Sequence, residues 1–251
     1  MSPSSRVAAI TGGASGIGFA FAKRWVEAGG VAVLLDMDID HLRVAVEAIG
    51  SDARGIWIDV TSRVSVDDAF SDITATERRL DVLVNCAGIA DPSPSHEVSD
   101  ESFNRMLDIH VTGSMRCARA AYPLLVNSEA ASIVNLGSVA TYAGMPQRAS
   151  YTAAKAGIGG LTRTLAAEWA ELGIRVNAVG PGYVRTKLTD SLVAEGKLVD
   201  GPIRARTPMG RFAEPEEIAD AMHFLAGETS TYITGHMLMA DGGMSIDGSW
   251  Y

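Results

Sequence analysis

Arg6-Val7-Ala8-Ala9-Ile10-Thr11-Gly12-Gly13-Ala14-Ser15-Gly16-Ile17-Gly18 decides the fold. Arg6 to Ile10 is a short apolar run that reads as a buried strand. Phe19 to Ala28 carries helical patterning and stops at Gly29-Gly30. A glycine-rich turn between strand and helix lets a phosphate approach the backbone, where the helix N-terminus offers free N–H groups and a positive dipole end. The spacing is Gly-x3-Gly-x-Gly rather than the commoner Gly-x-Gly-x2-Gly. As a bare pattern it serves a plain turn equally well, and its strand–turn–helix context is what favours the phosphate.

The alternation continues along the chain. Val31 to Leu35 is a strand ending at Asp36, followed by a helix from Asp38 to Ile49. Gly55 to Ile58 is a strand ending at Asp59-Val60, with a helix from Ser62 to Arg78, and Asp81 to Val84 is a strand ending at Asn85-Cys86-Ala87-Gly88. A polar loop (Ala90 to Glu97) leads into one long helix over Ser99 to Leu125. Ser132 to Leu136 is a strand ending at Gly137-Ser138, Ser150 to Glu171 a helix, and Arg175 to Val179 a strand ending at Gly180-Pro181-Gly182-Tyr183. Glu214-Pro215 opens a further helix, and Met237 to Ala240 is the last strand. Strand and helix in strict alternation predict an α/β fold with a parallel sheet covered on both faces, and no linker or repeat divides the 251 residues, so one domain is expected. Ligands in such folds bind beyond the carboxyl ends of the strands, where every unusual motif falls. Thr186 to Pro208 breaks the rhythm, and the stretch 186–210 is a candidate lid over a substrate.

Two acidic and basic placements carry chemistry. Asp36, at the end of the second strand, is placed to accept hydrogen bonds from a ribose 2′,3′-diol and to repel a 2′-phosphate. With Met37 and Ser15 neutral beside it, NAD is favoured over NADP. In Ser150-Tyr151-Thr152-Ala153-Ala154-Lys155-Ala156, the phenol and the ammonium are four apart and share a helix face. Such pairs also occur on many surface helices. In a desolvated cleft, however, the positive charge would favour phenolate, and lowering the phenol pKa from ~10 by about three pH units needs roughly 4 kcal/mol.

Composition narrows the field. A net charge of -9 without a Lys/Arg cluster argues against a nucleic-acid surface. Cys86 and Cys117 lack a CxxC spacing and read as buried free thiols of a reducing compartment. Five histidines show no ligand spacing, so no metal is expected. Met1 to Ser5 is too short and polar for a signal peptide, and no stretch is apolar enough for a membrane span, so a cytoplasmic protein is expected.

Taken together, Thr11-Gly12-x3-Gly16-x-Gly18, Asn85-x-Ala87-Gly88, Ser138, Tyr151-x3-Lys155 and Pro181-Gly182 resemble, in order and spacing, the short-chain dehydrogenase/reductase family in its single-domain form. The resemblance covers essentially the whole chain. It implies a Rossmann-like, doubly wound, seven-stranded parallel sheet and hydride transfer between NAD(P) and a carbonyl or alcohol carbon. Tyr151 would be the general acid/base and Ser138 would hold the substrate oxygen. Lys155 would bind the nicotinamide ribose and depress the tyrosine pKa. Gly12, Ser15, Gly16, Ile17 and Gly18 would hold the phosphates, and Asp59 and Val60 would flank the adenine. Asn85, Ala87 and Gly88 would pass along the cofactor, and Pro181, Gly182, Val184 and Thr186 would cover the nicotinamide. One position departs from the pattern. Where the family usually has Asn, the segment Ile109-His110-Val111-Thr112-Gly113 places His110. With an ordinary pKa near ~6.5, His110 could take over the Asn role in a proton relay and titrate in the working range.

The residues expected near the nicotinamide are mostly apolar, with Met145, Gln147 and Tyr183 as substrate candidates and Arg148 a further polar group. A secondary alcohol or its ketone, with polyols and cyclic alcohols leading, is the expected substrate. A 3-oxoacyl-carrier-protein reductase-like enzyme and a non-catalytic dinucleotide-binding module are the alternatives. The resemblance also implies a homotetramer, and small residues such as Ala153, Ala154, Ala156, Gly157, Gly159 and Gly160 would allow its helices to approach closely.

Overall fold

The computed structural model describes residues 5–247. The chain runs β1 (Val7–Thr11), α1 (Gly16–Glu27), β2 (Val31–Asp36), α2 (Ile39–Ile49), β3 (Ala53–Trp57), α3 (Arg63–Thr76) and β4 (Val82–Asn85). It continues through α4 (Asp100–Leu107), α5 (Gly113–Leu125), β5 (Ser132–Leu136), α6 (Ala149–Trp169) and β6 (Arg175–Pro181). The last elements are α7 (Lys187–Ala194), α8 (Asp200–Arg206), α9 (Pro215–Ala226) and β7 (Met237–Ala240).

All seven strands pair in parallel in the order β3-β2-β1-β4-β5-β6-β7. The expected doubly wound single domain is what forms. The strands are near-continuous apolar runs because both faces are buried. On one face Ile10, Leu34 and Val84 pack against Phe21 and Trp25 of α1, Leu42 of α2 and Met222 of α9. On the other, Val33, Leu83 and Ile133 meet Phe70 and Ile73 of α3, Leu125 of α5 and Leu165 of α6. The order reverses at β1, which lies between β2 and β4 with Thr11 opposite both Leu35 and Asn85. Chains leaving these ends diverge to opposite faces, and the crevice between them is where a ligand fits.

Most boundaries fall within a few residues of the sequence reading, with one larger departure. The long helix expected over 99–125 is interrupted by a π-helical turn at Asp108–Thr112. A π-turn inserts one residue into the helical ladder and is common at functional sites. Here the Ser114 hydroxyl donates to the His110 carbonyl at 2.6 Å, and Arg116 bridges Asp108 Oδ1 (2.8 Å) and the Val60 carbonyl (3.1 Å). His110 itself is buried. Among the described residues no helix is long and apolar enough to cross a membrane, and no cluster of His, Cys, Asp or Glu could hold a metal ion.

Candidate active site

The first turn is locked onto the end of β4. Thr11 Oγ1 accepts hydrogen bonds from the N–H groups of Cys86 (3.0 Å) and Ala87 (3.1 Å). A Cβ on Gly12, whose φ is +65°, would lie 3.0 Å from Ala87 backbone atoms, and one on Gly18 would lie 2.3 Å from the Gly12 carbonyl oxygen. Only glycine fits at either place. Ser15, before α1, makes no side-chain cap, and the first turn of α1 holds no acid. The Phe19 N–H donates to the Ser15 carbonyl and the Gly18 N–H to Cys86, which leaves the N–H groups of Gly16 and Ile17 for an anion, as a pyrophosphate requires.

At the next strand ends stand two oriented carboxylates. Asp36 accepts from the Ala14 N–H (3.1 Å) and the Asp38 N–H (3.1 Å), one on each oxygen. Asp59 Oδ1 accepts from the Thr61 N–H (2.9 Å) and hydroxyl (2.7 Å). These fixed acceptors, the open helix terminus and the crowded glycines together fit a dinucleotide.

The chemical centre sits at the end of β5 and the start of α6. Ser138 accepts from the Ala140 N–H at 3.1 Å. One helical turn apart on α6, Tyr151 and Lys155 face the same side, and Lys155 Nζ is 5.6 Å from the Tyr151 ring centre. Lys155 Nζ donates to the Leu136 carbonyl at 2.7 Å, which fixes its position. Burial pulls the Lys155 ammonium down to about 8. The Tyr151 hydroxyl is displaced upward. Burial is the largest cause, opposed by the Ser138 hydroxyl and the Arg148 charge. Within the protein alone, desolvation outweighs the opposing contributions of Ser138 and Arg148, and Lys155 is not among the groups that move this hydroxyl.

His110 enters from the π-turn. Its Nε2 lies 3.1 Å from the Ile89 nitrogen and 3.0 Å from the Ile89 oxygen, and its ring meets that of Tyr151 edge to face. Gly88 makes room for it, since a Cβ there would lie 2.4 Å from His110 Cε1. Burial, with Lys155 adding to it, lowers the His110 pKa to about 3. The expected titration in the working range is therefore overturned, and His110 is neutral at any physiological pH.

One cleft of about 690 Å³ at the strand ends brings nearly all of the candidate residues together. Gly12, Ser15, Gly16, Ile17, Gly18, Asp36, Met37, Asp59, Val60, Ala87 and Gly88 line one end, and Ser138, Met145, Tyr151, Lys155, Pro181, Gly182, Tyr183, Val184, Thr186 and His110 the other. Two candidates fall outside it. The Asn85 side chain turns into the core, where its Nδ2 donates to Asn135 Oδ1 (2.9 Å) and Asn135 Nδ2 to Thr162 Oγ1 (2.9 Å). β4 and β5 place Asn85 opposite Asn135, so the two amides meet within the sheet. Gln147 is exposed, and its neighbour Arg148 lines the cleft instead. Spacing held a partial signal for Arg148: it stands three residues before Tyr151, at the N-cap of α6. Leu188, Thr189, Leu192 and Leu198, from α7 and the segment after it, complete one wall.

Residues 12–245 match the family model described as enoyl-(acyl carrier protein) reductase. The chain is 40% identical over 241 residues to cis-4-hydroxycyclohexanecarboxylate dehydrogenase of Sinomonas cyclohexanicum, covering 95% of this chain and 96% of that one. To galactitol 2-dehydrogenase (L-tagatose-forming) of Cereibacter sphaeroides it is 38% identical over 242 residues, covering 95% and 94%. The crystal structure of gox2181 superposes with a TM-score of 0.92 at 35% identity, covering 97% of this chain and 96% of that one.

Proposed function

This chain belongs to the short-chain dehydrogenase/reductase family and is an oxidoreductase acting on alcohol or ketone groups; from that premise we propose an NAD-dependent dehydrogenase that interconverts a cyclic or polyhydroxy secondary alcohol and its ketone. The observation that carries the reading is the convergence of Ser138, Tyr151 and Lys155 in one cleft that also holds a fitted dinucleotide turn. Relatives named for a hydroxycyclohexane acid and for galactitol support the substrate class.

Bound NAD⁺ supplies the hydride acceptor and a positively charged ring. Tyr151, as phenolate, takes the proton from the substrate hydroxyl during oxidation and returns it during reduction. Ser138 donates to the substrate oxygen and steadies the charge that develops there. Lys155, anchored on Leu136, holds the nicotinamide ribose and keeps a positive charge beside the phenol. Burial raises the Tyr151 pKa, so the deprotonated form needs the charges gathered around it. His110, neutral and wedged between Ile89 and Tyr151, acts as a positioning residue in the place the family gives to Asn. Helix α7 and the segment after it, to Leu198, form the cover of the substrate end.

Asp36 supports NAD over NADP, because a second negative charge at its carboxylate would be repelled. A homotetramer with α5 and α6 at its interfaces fits the surface of α6. Gly157 and Gly159 are taken up by Val111 and Thr141 of the same chain, whereas Ala153, Ala156 and Gly160 remain open. The free thiols of Cys86 and Cys117 fit a reducing cytoplasm.

The acyl-carrier-protein reading draws on the family model's description. Initial rates with NAD and NADP over a panel of cyclic alcohols, polyols and 3-oxoacyl thioesters separate the two. Oxidation of secondary alcohols with NAD supports the proposal, and thioester reduction with NADPH alone would replace it.

A further inference from the structure

Arg148 differs from every other buried or half-buried arginine of this fold. Arg6 donates to the carbonyls of Ala130 and Ala226, Arg175 to those of Leu225, Gly227 and Ile233, Arg54 to Glu77 and Arg116 to Asp108. Arg148 is only 9% exposed, yet among the described residues its guanidinium has no hydrogen-bond or ion-pair partner. A guanidinium carries five donors, and those of Arg148 open onto the cleft, free for an acceptor that enters it.

Its position is imposed by the backbone. Gln147 sits in the left-handed region with φ 62°, its carbonyl held by the Ser93 N–H at 3.0 Å. That turn leaves Gln147 outside and Arg148 at the start of α6, facing the cleft. Its charge reaches both Tyr151 and Tyr183, and Arg206 adds a second positive influence at Tyr183. Among the described residues, the only carboxylates lining the cleft are Asp36 and Asp59, at the ends of β2 and β3. The cleft, which Arg105 and Lys187 also line, is thus electropositive away from those two carboxylates, and Val139, Met145, Leu188, Leu192 and Leu198 supply its apolar wall.

We propose that Arg148 is a specificity-determining residue that binds a carboxylate on the substrate, so that the enzyme acts on hydroxy acids or keto acids with an apolar body. The inference rests on the dehydrogenase reading above. One guanidinium suits a monoanion, which it grips through two parallel N–H···O bonds, and the apolar wall suits the carbon skeleton between carboxylate and carbinol. Three residues further on, in the first turn of α6, Tyr151 then meets the hydroxyl while Arg148 at the N-cap holds the acid.

Two measurements on the full chain test this. In the first, cyclohexanecarboxylate and cyclohexanecarboxamide, neither of which can react, are titrated calorimetrically into the enzyme–NADH complex. In the second, kcat/KM is compared for 4-hydroxycyclohexanecarboxylate and its amide with NAD. The wild type should favour the acid by about 10- to 100-fold in both. Arg148→Met should bring the acid-to-amide ratio to within threefold of one, and Arg148→Lys should keep an intermediate preference. Each ratio is internal to its variant, so a reduced folded fraction does not alter it. A ratio unchanged in Arg148→Met, or a wild type indifferent to the charge, would overturn the proposal. If Arg148 acted only on Tyr151, both substrates would slow together and the ratio would hold, which also overturns it. Tight acid binding without oxidation of any alcohol would uphold the anchor and sink the dehydrogenase reading. Equal oxidation of acid and amide would do the reverse.

Discussion

His110 and Tyr151 stand edge to face, their ring centres 5.7 Å apart and their planes at 87°. The contact brings a titratable ring to the proton-transfer group, and burial keeps that ring neutral by lowering its pKa to about 3. The unfolded chain, with an ordinary histidine near ~6.5, binds a proton that the folded chain refuses. Stability from this residue is therefore complete above pH ~6.5 and is lost as the pH falls from there toward 3, at about 1.4 kcal/mol per pH unit. Between pH 6.5 and pH 5 the wild type should lose about 2 kcal/mol more than His110→Asn in urea denaturation. Equal losses would show that His110 titrates normally. His110→Asn should also retain turnover that His110→Ala loses.

Tyr151→Phe removes the acid/base hydroxyl and little else. Turnover should fall by about 10²–10⁴-fold, while NADH affinity, measured by fluorescence titration, stays within about threefold. Retained turnover would take proton transfer away from Tyr151.

Asp36→Ala leaves the Ala14 and Asp38 N–H groups without their acceptor and removes the charge that opposes a 2′-phosphate. The NAD to NADP ratio of kcat/KM should drop by at least about tenfold. A ratio that does not move would remove Asp36 from the ribose.

Gly18→Ala drives a methyl against the Gly12 carbonyl, a backbone atom that cannot yield cheaply. A loss of about 1–3 kcal/mol in stability is expected, together with weakened NADH binding. Gly144→Ala, with no positive φ and nothing within 4 Å of the added carbon, should instead be neutral or stabilising by up to about 1 kcal/mol. Thermal unfolding of the two variants side by side checks the contrast, and equal behaviour would mean that the turn is not close-packed.

The fold was legible because a parallel sheet buried on both faces writes itself as apolar runs punctuated by glycine, and Val31–Asp36 or Ser132–Leu136 need no long-range information to be read. Tyr151, Lys155 and Ser138 were legible for the same local reason, through helical spacing and a strand end. What spacing does not carry is desolvation. The upward displacement of Tyr151 and the neutrality of His110 come from groups far apart in sequence closing over them. The π-turn at Asp108–Thr112 was hidden because its residues have ordinary helical composition, and the partners that hold it, such as Val60, come from another element. Gln147 and Arg148 both stood as polar candidates, and only the left-handed backbone at Gln147, which spacing does not show, leaves Gln147 outside and Arg148 on the cleft.

That left-handed residue has a consequence for how the enzyme can change. The proton-transfer pair stands on successive turns of a 21-residue helix, Ala149–Trp169, and cannot shift without moving α6 as a whole. Arg148 hangs on the joint before that helix, so it can be exchanged without moving the pair, and only its charge connects it to Tyr151. Arg148 substitutions change what the cleft accepts without moving that helix, and they also withdraw one positive charge from Tyr151. Selectivity in this chain is an adjustable fitting on a fixed reaction frame.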